Sequence, residues 1–323
     1  MNTIYLSEDH KELQRVYADY MPKTFLKKED ILRDPESFRN TRYIFSTWGM
    51  PVFTEEEIKG FLPSLKAVFY AAGSVQKFAR PFLNCGIKVF SAWAANGVPV
   101  AEYTVAQIIL ANKGFFQASQ LASTGDRSGA KARFSKYPGN YAVRVGIIGA
   151  GMIGKMVIKR LKEYALEVVT FDPFLPEETA QALGVQKVSL QELFATSQVV
   201  SNHLANNAQT KGMLNYALFS TMLPNATFLN TGRGAQVVEN DLIAVLRERP
   251  DLTAVLDVTY PEPPAPDSPF YTLPNCFLTP HIAGSSGNEV RRMASYMMEE
   301  YEAFTIGKPC RFEVTEKMLE TMA

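Results

Sequence analysis

Residues 145–157, VGIIGAGMIGKMV, limit most tightly how this chain can fold. They carry Gly149, Gly151 and Gly154 in a Gly-x-Gly-x-x-Gly pattern. A β-type run, AVRVGIIG (142–149), leads into the pattern, and a helical run, KMVIKRLKEYA (155–165), leads out. That order predicts a strand, a tight turn and a helix, the first half of a parallel βαβ unit. The first glycine allows the turn, the second lets backbone N–H groups approach a pyrophosphate, and the third lets helix pack on strand. Met152 and Ile153 fall at the helix start, where N–H groups and the helix dipole favour phosphate. The next strand ends at Asp172, spaced to accept hydrogen bonds from a ribose. Pro173 and Phe174 follow it, with no Arg to favour a ribose phosphate, so NAD is the expected cofactor.

The chain around this unit alternates in the same way. Apolar runs at 4–6, 43–48, 66–72 and 87–92 are separated by charged, helix-like stretches. A second series follows at 142–149, 167–172, 197–204, 226–231, 252–258 and 275–280. The pattern predicts an α/β protein in which each half is a parallel sheet flanked by helices. At 323 residues two domains are expected. A long apolar helix is expected over about Val100 to Phe116, and a last helix over about Asn288 to Thr305 before a tail without structural signal. Between the halves, 123–140 breaks the pattern. The basic stretch from Arg127 to Arg144, with Lys131, Arg133 and Lys136 and no acid, reads as a solvated linker.

Composition excludes some functions. Lys plus Arg and Asp plus Glu both total 33, so no net charge favours a nucleic acid or an anionic membrane. Cys85, Cys276 and Cys310 are widely spaced and fit neither a disulfide framework nor a metal site. The start, MNTIYLSEDHKEL, lacks the apolar core of a signal peptide, and no apolar run reaches membrane-spanning length. A cytoplasmic protein is the simplest expectation.

Two loops stand out as sites of chemistry. In LNTGRG (229–234) a strand ends in an arginine between two glycines. Arginine presents a rigid fork of donors suited to a carboxylate, and glycines admit a ligand close to the backbone. Of three histidines, His10 lies in a charged N-terminal segment and reads as a surface residue, and His203 ends an apolar run. His281 stands in LTPHIAGSSG, after a strand and before a Gly-Ser turn. Asp257 and Glu262 precede it in LDVTYPEPP. A carboxylate beside the imidazole would fix its tautomer and make it a general acid or base.

Taken in order, GAGMIG, FDP, LNTGRG, LDVTYPEP and LTPHIAGS, with VPVAEYT (98–104), resemble the D-isomer-specific 2-hydroxyacid dehydrogenase family. The likeness runs from about Leu65 to Arg292. It implies Arg233, Glu262 and His281 as the catalytic residues. Arg233 would bind the carboxylate and carbonyl of a 2-oxo acid, and His281 would give a proton to the carbonyl oxygen while Glu262 keeps it protonated. Asp257 would anchor the nicotinamide carboxamide, with Thr231 and Gly232 on its face and His203, Thr210 and Gly284 also in the cofactor site. The turn Ala71–Val75, with Ala72, Gly73 and Ser74, would hold the substrate carboxylate.

The resemblance further implies a Rossmann-type NAD domain at about 99–288, inserted into a flavodoxin-like substrate domain of 1–98 and 289–323. The active site would then lie in the cleft between them. A homodimer and a small 2-hydroxy or 2-oxo acid are the expected partners, with no metal. An NADH-sensing regulator on the same fold is the alternative. The chain departs from the family where Leu204-Ala205-Asn206 follow His203 without the usual Pro, in YPGNYAVR before the glycine motif, and at Ser74 and Gln76. Trp48 and Trp93 are candidates for pocket walls or for core.

Overall fold

The computed structural model describes residues 2–20 and 24–320. The chain divides into two units, Met1–Gly97 with Ser285–Ala323, and Val98–Gly284. The breaks lie at 97/98 and 284/285, against the expected 98/99 and 288/289.

The first unit is built on five parallel strands: β1 (Thr3–Leu6), β2 (Phe25–Leu26), β3 (Tyr43–Ser46), β4 (Ala67–Tyr70) and β5 (Lys88–Ser91). Their order is β2-β1-β3-β4-β5. Every residue of β3 and β4 is buried, so their sequences, YIFS and AVFY, are apolar almost throughout rather than alternating. Phe45, Phe69 and Phe90 share one register row and stack across the sheet at centroid spacings of 5.2 and 4.9 Å. Tyr301 and Phe304 of the helix Val290–Thr305 pack edge-on against this row. The tail, which carried no signal, is ordered on the sheet edge. Val314 N–H donates to the Val89 carbonyl (2.7 Å), Ser91 N–H donates to Phe312 (3.1 Å), and Val314 and Leu319 are buried. Too few apolar residues recur there to reveal a pattern.

The second unit is a seven-stranded parallel sheet: β6 (Val143–Ile148), β7 (Leu166–Phe171), β8 (Gln186–Lys187), β9 (Val199–Asn202), β10 (Thr227–Asn230), β11 (Thr253–Leu256) and β12 (Cys276–Leu278). The order β12-β11-β10-β9-β6-β7-β8 reverses direction between β6 and β9. In such sheets ligands bind beyond the carboxyl ends of the strands at the reversal. The glycine motif leaves β6 there and His203 leaves β9. No helix among the described residues is long and apolar enough to cross a membrane, and no cluster of His, Cys, Asp and Glu could hold a metal.

Three expectations need correction. The apolar helix spans Trp93–Ala111, beginning before Pro99 and ending short of Gly114, which starts a new helix, Phe115–Ser123. The basic stretch is not a plain linker, because Arg127–Phe134 forms a helix. Asp126, just before it, caps this helix by accepting from Gly129 N–H at 2.8 Å. Arg133 bonds the carbonyl of Pro250 (2.5 Å) and the side chain of Gln117. His10 is half-buried rather than on the surface; it opens the helix His10–Val16, and its Nε2 is shut off from solvent.

Candidate active site

The turn after β6 has the shape its glycines foretold. Gly149 adopts φ +86°, and a Cβ there would meet the His203 carbonyl oxygen at 2.8 Å. A Cβ on Gly154 would lie 2.0 Å from the Gly149 oxygen, so that position must stay bare for helix and strand to touch. Gly151, which caps the helix Met152–Leu161, faces open space. Asp172 closes the site at the end of β7. Its Oδ2 accepts from Ala150 N–H and its Oδ1 from Phe174 N–H, both at 2.9 Å. Beside the motif, the His203 ring bonds Ser201 Oγ through Nε2 (2.9 Å), while its buried Nδ1 has no partner among the described residues. Burial lowers the His203 pKa to about 4, so the ring is neutral at pH 7. Open space at Gly151, helix N–H groups, a carboxylate at the end of the next strand and an orphaned ring nitrogen fit a dinucleotide.

Arg233 is set by a buried amide network. β9 and β10 end at Asn202 and Asn230, and Asn202 Nδ2 donates to Asn230 Oδ1 (3.0 Å) and Gln236 Oε1 (2.6 Å). Asn230 accepts from Gly232 N–H (3.1 Å) and donates to the Arg233 carbonyl (3.1 Å). Gln236 Oε1 accepts from Arg233 N–H (3.3 Å), while its Nε2 donates to Leu204 (2.8 Å) and Ala205 (3.0 Å). That last pair fixes the turn after His203, where the chain lacks the proline. Gly234 is needed for close approach, since a Cβ would fall 2.0 Å from the Thr259 backbone. Burial of the Arg233 guanidinium lowers its pKa, and the Glu262 carboxylate pulls it back up. Arginine nonetheless stays charged at any working pH. Thr231 meets Thr104 hydroxyl to hydroxyl at 2.9 Å, and Thr210 ties the 205–210 turn through the Ala205 carbonyl (2.6 Å).

The last loop brings two of the predicted residues together. His281 Nδ1–H donates to Glu262 Oε1 at 2.5 Å. Both side chains are exposed, and His281 holds φ +55°, a left-handed backbone that costs free energy for a residue with a Cβ. Asp257, 3% exposed, braces this conformation. Its Oδ1 accepts from Thr279 Oγ1 (2.6 Å) and Ile282 N–H (2.8 Å), and its Oδ2 from Ala283 N–H (3.0 Å). Because Thr279 donates to Asp257, Tyr103 is the donor in the 3.1 Å bond between Tyr103 and Thr279 hydroxyls. One lone-pair direction of Oδ2 remains for a ligand. Gly284 ends the loop.

The turn after β4 belongs to the first unit. Nothing among the described residues accepts from the N–H groups of Ala72, Gly73 and Ser74. Three such groups in succession suit an anion. Sequence reasoning missed Asn202, Asn230, Gln236, Thr279, Tyr103 and Thr104. Asn202 and Asn230 carried a signal, each being an amide at the end of an apolar strand.

Residues 105–283, more than half of the chain, match the sequence model described as "D-isomer specific 2-hydroxyacid dehydrogenase, NAD binding domain". A putative 2-hydroxyacid dehydrogenase of Bacillus subtilis, YoaD, is 30% identical over 98% of this chain and 90% of its own length. A D-3-phosphoglycerate dehydrogenase of Archaeoglobus fulgidus is 31% identical over 73% of this chain. The match spans only 44% of that relative, and 43% of a second phosphoglycerate dehydrogenase. In fold the chain resembles a D-2-hydroxyisocaproate dehydrogenase (TM-score 0.77, 20% identity, 98% of this chain and 100% of the other). It also resembles the D-mandelate dehydrogenase of Rhodotorula graminis (TM-score 0.78, 20% identity, 98% of both). With an NAD-binding unit whose turn, carboxylate and loops are built as described, the chain belongs to the D-isomer-specific 2-hydroxyacid dehydrogenase family.

Proposed function

We propose that this protein is an NAD-dependent dehydrogenase interconverting a D-2-hydroxy acid and its 2-oxo acid. The observation that carries this reading is the His281–Glu262 pair at 2.5 Å on a loop braced by Asp257, in the same unit as Arg233. Bound NADH would supply the hydride that reduces C2 of the oxo acid. Arg233 binds the substrate carboxylate and its carbonyl oxygen, and its charge stabilises the negative charge that grows on that oxygen. In the first unit, the N–H groups of Ala72, Gly73 and Ser74, unpaired among the described residues, are donors of the kind a carboxylate takes. His281 gives its Nε2 proton to the carbonyl oxygen as the C–H bond forms. Oxo acid, hydride and proton thus become hydroxy acid, and the neutral imidazole takes a proton back from water. Glu262 accepts from Nδ1–H and fixes the orientation of the ring. Thr231, Gly232 and Asp257 would hold the nicotinamide.

The test pairs turnover with binding. Purified protein with NADH and a panel of 2-oxo acids should consume NADH, and His281→Ala should slow this by about 10²–10⁴-fold, the usual contribution of a general acid. NADH affinity, read by fluorescence, should stay within about threefold. Loss of NADH binding in the variant would assign His281 a structural role. NADH binding without turnover of any acid would favour a cofactor-sensing regulator.

A further inference from the structure

We propose that the acid taken by this site carries a bulky, uncharged apolar side chain, aryl or branched alkyl, and no phosphate. The proposal rests on the dehydrogenase reading above and on the turn Ala71–Val75 as the carboxylate's seat. β3, β4 and β5 are adjacent in the sheet, and Ser46, Tyr70 and Ser91 end them in register. Two residues past each end stand Trp48, Ala72 and Trp93. The only two tryptophans of the chain therefore flank the carboxylate turn in sheet order, one past each neighbouring strand.

The three loops are pinned to one another. Thr47 Oγ1 donates to Ala71 (2.9 Å), and Ser91 Oγ bonds the carbonyls of Ala72 (2.9 Å) and Gly73 (2.5 Å). Each tryptophan is half-buried and packs against the core. Phe312 supports Trp93 edge-on at 5.6 Å, and Met50 packs on the core beside Trp48. Such rings gain most from a ligand that covers the open remainder, and a methyl group or hydrogen on the substrate would leave that area wet.

Charge gives the second argument. Residues 47–52, 71–76 and 92–97, which follow the three strands, include no Asp, Glu, Lys, Arg or His. A phosphoryl group carries about −1.5 to −2 at pH 7 and needs cationic donors when it leaves water. The first charge after the turn is the exposed Lys77, and the other charged residues at this end of the sheet follow β1 and β2, among them Glu8, Asp9, Lys27 and Lys28. Lys28 is already engaged by Glu57 at 2.7 Å.

Steady-state NADH oxidation tests this with phenylpyruvate, 4-methyl-2-oxopentanoate, pyruvate, glyoxylate and 3-phosphohydroxypyruvate. The native chain should prefer one of the first two by at least tenfold in kcat/KM over pyruvate and a hundredfold over the phosphorylated acid. Trp48→Ala and Trp93→Ala should each cut the preference over pyruvate by about tenfold, one to two methylene equivalents of lost contact, and Trp→Phe should restore part of it. A native preference for glyoxylate or 3-phosphohydroxypyruvate overturns the proposal, whatever the variants do. So does an unchanged ranking in both alanine variants. NADH binding with no turnover of any acid is a separate result, which removes the dehydrogenase reading and this proposal with it.

Discussion

The carboxyl edges of the two sheets are built from opposite materials. Past β3, β4 and β5 the first sheet offers tryptophan, alanine, glycine and backbone N–H groups, without a charge. Past β7, β10 and β11 the second offers Asp172, Arg233, Asp257 and Glu262. The first edge needs little support, because a main chain fixed by β-ladder register brings its N–H groups with it. The second must hold ionic side chains in place, and two of its loops have buried neighbours assigned to that task. Arg233 rests on Asn202, Asn230 and Gln236, and His281 rests on Asp257 and Thr279. Recognition by shape is inexpensive in scaffold, whereas recognition by charge draws in a second layer of polar residues.

Removing that layer should break the contrast most visibly. Gln236→Leu takes away the acceptor of Arg233 N–H and Asn202 Nδ2 and the donor to Leu204 and Ala205. Leaving such buried groups unpaired costs about 1–3 kcal/mol. We expect a lower Tm together with a ten- to hundredfold fall in kcat/KM for the oxo acid, since a misplacement near 1 Å can cost about 10²-fold. A lower Tm with unchanged kcat/KM would mean the network serves the fold alone and not the guanidinium.

A smaller effect is expected at Asp172, where the question is what the charge does apart from the hydrogen bonds. Asp172→Asn keeps an acceptor for Ala150 N–H and removes the charge. The ratio of kcat/KM for NADH to that for NADPH should fall by about tenfold, a change of about 1.4 kcal/mol. An unchanged ratio would take Asp172 out of the ribose site and leave it a brace for the glycine turn.

The same contrast governs how much could be read from the sequence. Buried parallel strands are apolar runs, so most strands were legible; β2 and β8, two residues each, were too short to register. The glycine turn was legible because its spacing is imposed by backbone sterics. The Arg233 loop and the His281–Glu262 pair stood out because their loops carry motifs. Gln236 was not, since its meaning depends on Asn202, 34 positions away in the chain and brought close only by strand pairing. Tyr103 and Thr279 are 176 positions apart for the same reason. The helix Arg127–Phe134 was hidden because Asp126, its cap, lies one residue outside the basic stretch.

His203 is the titratable group on the charged edge that stays neutral, and its effect should be the mildest. Its pKa falls to about 4 in the folded protein, from 6.5, because burial disfavours the imidazolium. Between those values the unfolded chain binds the proton and the native ring does not. Stability therefore rises with pH across that window and is lost as pH falls from 6.5 toward 4. From pH 7 to pH 5 the loss is about 2 kcal/mol, or roughly 4–8 °C in the Tm of a domain of this size. His203→Asn has nothing to titrate there, so its Tm should fall less over the same interval, even if it starts lower at pH 7. Parallel Tm curves for the two proteins would mean that water reaches the ring in the folded state. The orphaned Nδ1 would then no longer count toward a cofactor site, and the second edge would be charged or solvated throughout.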